Sequence, residues 1–226
     1  MFDLGVLYEN GQGVAQDYAK AREWYEKAAA NDDASAMFNL GLLYANGDGV
    51  AQDYAKARKW YEKAAAKDDA EAKERLEELP ISEAAETGRY AEALQLQQAL
   101  ATKVEASETK RGGKPGEKTA DVLNTVAWFA LFAREFRKAL SAANRAHALV
   151  PDDLTIETNR AHALMFLANR GKESKALYLA HKGKPISESD GQLWERVIAE
   201  DFAEFRKAGL THPMMAEIEK ELGVSP

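Results

Sequence analysis

The residues that could carry chemistry are few and scattered. The segment Gly112-Gly113-Lys114-Pro115-Gly116-Glu117-Lys118-Thr119 has the glycines, lysines and hydroxyl of a phosphate-binding loop. That motif needs a Gly-Lys pair five and six residues after its first glycine, and a β-strand before it. Glu117 occupies the required glycine position, where its charge repels phosphate, and the preceding residues read as helix. The segment is therefore expected to be an interhelical loop. The four histidines are His147, His162, His181 and His212. Two of them lie in an identical hexamer, Asn-Arg-Ala-His-Ala-Leu, at 144–149 and 159–164, so their imidazoles could face one another. A zinc site wants three or four protein ligands, and no third ligand falls at a suitable spacing. No nucleophile–base–acid order stands out. These residues predict no catalytic group, no cofactor and no metal, and a chain that is not an enzyme.

Composition narrows the classes further. The chain has 226 residues, no cysteine and six prolines, with a formal net charge of −7. Without cysteine there are no disulfides and no thiolate ligands. The first 80 residues carry 10 Lys and Arg against 16 Asp and Glu, and the remainder 20 against 21. Neither part offers the positive surface that nucleic acid requires. No apolar run reaches membrane-spanning length, and no basic and apolar leader follows Met1. This favours a cytoplasmic protein, or a periplasmic one if the true N-terminus lies further upstream.

What would position any site is a repeat. Shifting the chain by 36 places residues 1–36 on 37–72 with 29 of 36 identical. Each copy reads as helix, loop, helix. Met37, Leu40, Gly41 and Tyr44 fall on one helical face, and Gly41 lets a neighbouring helix approach closely. Asn46-Gly47-Asp48-Gly49-Val50 closes that helix with two glycines suited to positive φ. Asp53 is placed to cap the next helix, whose apolar stripe is Tyr54, Ala57, Trp60, Tyr61 and Ala64. Asp68 and Asp69 sit at the start of the helix after it, at its positive dipole end. The pairs Trp24-Tyr25 and Trp60-Tyr61 could be read as an aromatic cage, but their recurrence at one place in each hairpin favours packing.

A hairpin of this kind cannot bury both faces alone. Stacking completes its core and predicts an all-α, right-handed solenoid of antiparallel hairpins. The patterns Leu-Gly-x-x-Tyr, Gly-x-Gly-Val-x-x-Asp-Tyr-x-Lys-Ala and Trp-Tyr-x-Lys-Ala-Ala resemble the Sel-one-like repeat, a relative of the tetratricopeptide repeat, over residues 1–72. The resemblance implies an adaptor that holds other proteins in complexes.

After residue 72 the register fades. Asp69–Leu79 looks like the first helix of a third copy, cut off at Pro80. Gly88–Leu94 opens a long helix reaching about Glu108, so 73–118 is read as a degenerate repeat with a helix and loop. Leu123, Val126, Ala127, Phe136, Ala139, Leu140, Ala143, Ala146 and Pro151 are similar to a 34-residue tetratricopeptide unit, and hairpins of that type are expected over 119–183. In the second, predicted at Leu154–Ala168 and Lys172–His181, Arg160 falls on an apolar face. Residues 184–226 are expected to form a capping pair. Leu193, Val197, Phe202 and Phe205 give its first helix an apolar side, and Thr211 is placed to cap its second. The stretch Trp194–Leu222 resembles the ends of some bacterial tetratricopeptide proteins, a few of them fused to caspase-like peptidases.

In such a solenoid the first helices line the concave face. Their non-core positions are the candidate protein-binding residues: Asp121, Asn124, Trp128 and Phe132, then Thr158, His162 and Phe166 in the next hairpin. The leading expectation is a scaffold that binds a peptide or protein segment in this groove. The alternative is a regulatory or targeting segment of a larger bacterial enzyme. A second candidate surface is the uncapped edge at Phe2, Leu4 and Leu7, expected to associate with another copy. Light scattering at rising concentration tests it: dimers or larger species are expected, and a strict monomer contradicts it.

Overall fold

A computed structural model describes residues 1–110, 112–186 and 191–224. It divides into two compact units, Met1–Glu83 and Ala84–Pro226. Among the described residues there are twelve α-helices and no strand; an isolated antiparallel bridge joins Pro185 and Leu193.

The first unit is built from α1 (Phe2–Asn10), α2 (Tyr18–Ala29), α3 (Ala34–Asn46), α4 (Tyr54–Ala65) and most of α5 (Ala70–Glu86). Its elements start and stop where the residues dictate. Asp17, Asp33, Asp53 and Asp69 each accept a backbone N–H three residues on, from Lys20, Ala36, Lys56 and Ala72. Each thereby satisfies one of the amides a helix start leaves unpaired. The Lys20 and Lys56 amides, together with the side chains of the same lysines, hold the Asp17 and Asp53 carboxyls below the usual range. Gly11 and Gly47 end α1 and α3 at φ +67° and +79°. Asp32 and Asp68 also take positive φ, so each Asp-Asp pair divides its work: the first residue makes the turn and the second caps.

The close approach expected at Gly41 has a definite partner. A Cβ on Gly41 would lie 2.4 Å from Cδ1 and Cε1 of Tyr61, and one on Gly5 would meet Tyr25 the same way. Tyr25 and Tyr61 are buried, and burial pushes the Tyr61 hydroxyl up to about 12. Trp24 and Trp60 are half-buried, with the Lys27 and Lys63 ammonium groups 4.3 and 3.9 Å from their ring centroids. The indoles are therefore covered by their own helix's lysines.

Pro80 does not stop the helix that contains it. α5 continues to Glu86. Proline removes one helical hydrogen bond and crowds the preceding turn. Here Leu79 and Ile81 on either side are 4% and 5% exposed and Ala84 is fully buried, so packing offsets that cost.

The second unit holds α6 (Tyr90–Lys110), α7 (Glu117–Phe132), α8 (Phe136–Leu149), α9 (Leu154–Met165), α10 (Gly171–Ala180), α11 (Trp194–Lys207) and α12 (Met214–Leu222). Alanines make its close helix contacts: Ala120, Ala127, Ala130, Ala139, Ala143, Ala146, Ala161 and Ala163 have no exposed surface. Arg160, puzzling on an apolar face, reaches the buried Glu157 carboxylate and accepts no isolation there; its Nε donates to Asn144 Oδ1 at 3.0 Å.

Two details of the C-terminal pair differ from the sequence reading. The buried side of α11 is Trp194, Ile198, Phe202 and Phe205, while Leu193 is 43% exposed and Val197 half-buried. The true stripe lies one position along, because Trp194 is drawn in by a hydrogen bond from its indole N–H to the Tyr178 carbonyl (2.8 Å). The start of α12 is capped by His212 and not by Thr211: the Met214 amide donates to His212 Nδ1 at 3.2 Å. Partial burial holds the His212 pKa below the usual histidine value.

Gly41→Ala separates packing from helix propensity. In an isolated helix the change stabilises by about 1 kcal/mol. Against the Tyr61 ring it is expected to destabilise by about 1–3 kcal/mol. Urea unfolding decides the sign.

Candidate functional site

The first helices of the two hairpins in the second unit, α7 and α9, do not face an open groove. α11 lies on them. The Phe205 ring sits 5.4 Å from Trp128, 5.3 Å from Phe132, 4.9 Å from His162 and 6.0 Å from Phe166, centroid to centroid. Phe132 also meets Tyr90 at 4.7 Å, and Phe166 stacks on Phe136 at 4.8 Å. Thus Phe132 and Phe166, expected to hold a partner's side chains, hold the chain's own helix. A groove this apolar could not stay empty in water, and burying each aromatic side chain of α11 contributes roughly 1.5–3 kcal/mol.

His162 is fully buried in the same contact. Its Nδ1 lies 2.7 Å from the Tyr178 hydroxyl and its Nε2 2.9 Å from Asp201 Oδ2 on α11. The ring bridges the two groups, and the Tyr178 hydroxyl also reaches Met165 Sδ at 3.9 Å. Nucleophile, imidazole and acid are thus in line, but the tyrosine is unexposed and burial raises its hydroxyl well above the usual range. The triad is a polar bolt between α9, α10 and α11, with the tyrosine and the imidazole fully buried.

The other histidine of the repeated hexamer has separate partners. His147 Nδ1 lies 2.7 Å from Glu157 Oε1, which Arg160 also reaches. His181, at the end of α10, lies edge-on to Trp194 at 4.9 Å; burial, then the nearby Lys184, lowers its pKa. Among the described residues no group of three or more His, Asp or Glu could hold a metal ion.

The glycine-rich segment is explained by a residue the sequence reading passed over. Glu108 accepts from the Gly116 amide at 3.0 Å and from the Thr119 hydroxyl. Those two bonds, the hydroxyl first, keep the Glu108 carboxyl below its ordinary range. The start of α7 is already held by an internal carboxylate. The spacing Glu108 to Thr119 was the available signal, but it needs the loop to fold back.

What remains open beside α11 is a pocket of about 290 Å³ lined by Asn124, Thr125, Trp128, Thr155, Thr158, Asn159, Val197 and Asp201. Of the seven groove candidates, Asn124, Trp128 and Thr158 meet here. Asn159, Asp201, Thr125, Thr155 and Val197 were not anticipated. Asp121 is exposed, and its carboxyl is raised by partial desolvation and by Glu117 and Asp153. At the N-terminal edge Met1 is 58% and Leu4 40% exposed, whereas their counterparts Met37 and Leu40 are buried; Leu7 is half-buried, and Phe2 packs 5.6 Å from Tyr25.

Phe205→Ala tests the α11 contact. It is expected to destabilise the second unit by about 3–5 kcal/mol, because four rings lose their common neighbour. Thermal unfolding followed by tryptophan fluorescence reads it; a loss below about 1 kcal/mol contradicts the contact.

The family model described as the Sel1 repeat matches residues 1–33 and 34–69. No curated protein matches the chain. A solved Sel1 repeat protein from Oxalobacter formigenes is similar at 23% identity and a TM-score of 0.47, over 97% of this chain and 84% of that one. A protective antigen of uropathogenic Escherichia coli strains, displaying an SLR fold, is similar at 20% identity and a TM-score of 0.41. That match takes in 99% of this chain and 57% of that one, so the chain spans little more than half of the antigen's length. No helix among the described residues is long and apolar enough to cross a membrane. With its 36-residue period, its glycine-to-tyrosine helix contacts and two matching family segments, the chain carries two Sel1 repeats, at residues 1–33 and 34–69, followed in sequence by further helices.

Proposed function

We propose that this protein is a non-catalytic scaffold that binds a peptide or protein segment along α7 and α9, in the part of their shared face that α11 leaves open. Sel1 repeats generally mediate protein–protein interaction. The observation that carries the reading is α11 itself. An amphipathic helix lies against the first helices of two hairpins, in the helix-in-groove manner by which such surfaces take partners. Beside it, polar groups and a half-buried tryptophan line a pocket large enough for a side chain of the partner.

The two Sel1 repeats serve this reading as scaffold. Their surfaces are nearly duplicated, so one unique partner site fits the irregular hairpins better. The exposed Met1 and Leu4 favour a second contact, with another copy of the chain, at the N-terminal edge.

Selection from a displayed random-peptide library on the wild-type protein tests the groove. Binders are expected, and Thr125→Trp, which fills the pocket from its rim, is expected to weaken them about tenfold or more. Binders that hold wild type and variant equally contradict the assignment.

A further inference from the structure

We propose that the pocket between α7, α9 and α11 takes the cationic side chain, Lys or Arg, of the bound peptide. This rests on the reading of the groove as a peptide site and names the residue that it recognises.

Asn159 is 5% exposed. Its side-chain amide donates to Asn124 Oδ1 at 2.8 Å and to the Asn124 carbonyl at 3.3 Å. Turning the amide over would set oxygen against two acceptors, so the network fixes the orientation. The remaining atom, Asn159 Oδ1, is buried and has no hydrogen-bond partner. A buried acceptor left unmet is costly, by about 1–3 kcal/mol, and calls for a donor.

The hydroxyls around it have spent their protons. Thr125 Oγ1 donates to the Asp121 carbonyl (3.1 Å), Thr155 Oγ1 to Asp153 Oδ1 (2.6 Å) and Thr158 Oγ1 to the Thr155 carbonyl (2.7 Å). Each oxygen can now only accept, and Thr155 Oγ1 already takes the Asn124 side-chain amide at 3.4 Å. Asp201 adds a carboxylate whose one ion-pair partner among the described residues is His162. Its side chain is 18% exposed, so it presents to the pocket. At Asp121, close by Asn124 in sequence, desolvation first and then the charges of Glu117 and Asp153 raise the carboxyl.

Such a lining repels a carboxylate or phosphate and suits a group rich in N–H donors with a positive charge. An ammonium or guanidinium meets Asp201 through a charge-assisted hydrogen bond. Trp128 offers an aromatic wall for the methylene stem and for cation–π attraction. A volume of about 290 Å³ admits one long side chain and no second helix.

Three alanine-based pentapeptides with a central Arg, Lys or Glu, titrated onto the full chain and followed by calorimetry, test this. The Arg and Lys peptides are expected to bind at least about tenfold more tightly than the Glu peptide, and to weaken as salt rises. Asp201→Asn keeps the bond to His162 and is expected to abolish the preference. Thr155→Lys, at an exposed position, places a cation at the rim and is expected to do the same should Asp201→Asn fail to fold. Equal binding of all three peptides, or an undiminished Arg preference in the folded variants, overturns the proposal. Library binders that Thr125→Trp weakens but that lack a basic residue overturn it while leaving the groove in place. Binders indifferent to Thr125→Trp remove the groove itself.

Discussion

The ring of Phe205 is the point on which the second unit closes. Trp128 and Phe132 from α7, and His162 and Phe166 from α9 and its end, all meet it within 6.0 Å. A pair of stacked hairpins leaves its inner face apolar, and water makes an empty apolar groove costly. α11 answers that cost, and the His162–Asp201 bond fixes where along the groove it lies. α12 then holds α11 from behind through Arg206 and the buried Glu219, joined by two bonds of 2.7 and 2.6 Å. Everything the site can do follows from the strip that this packing leaves uncovered.

The two Sel1 repeats pose the opposite problem, since nearly everything in them is duplicated. Their seven differences fall mainly at the surface. One alters the buried tyrosine contact: Tyr25 donates its hydroxyl proton to Glu9, while the position matching Glu9 in the second repeat is Ala45. Tyr61 lacks a hydrogen-bonded acid and is lowered by Arg75, so its hydroxyl, raised by burial, rises less far than that of Tyr25. The scaffold tolerates the change because the shared constraint is the ring lying on a glycine, which both copies keep.

Much of this was legible in the residues. The period of 36, the aspartate caps, the turn glycines and the Gly41 approach are local, and local geometry is what residue types encode most directly. The same reasoning singled out Asn124, Trp128 and Thr158, which line one pocket, because helical spacing separates them from the core positions of their helices. It missed Asp201 and the covering helix for a physical reason: His162 and Asp201 are 39 residues apart, and nothing in either segment states that they pair. It placed the end of a helix at Pro80 because proline's local preference is strong, whereas burial of Leu79 and Ile81 prevailed. It shifted the face of α11 by one residue because Trp194 is committed by a bond to the Tyr178 backbone, 16 residues away.

The central claim is that recognition occurs beside α11 and not on the duplicated repeats. Hydrogen exchange of the full chain, with and without a library-selected peptide, tests it most directly, because amides at a contact slow when the partner binds. The account predicts added protection at residues 121–128, 155–159 and 197–201, with α11 remaining in place. Protection confined to residues 1–83, or loss of protection throughout α11 on binding, would contradict it.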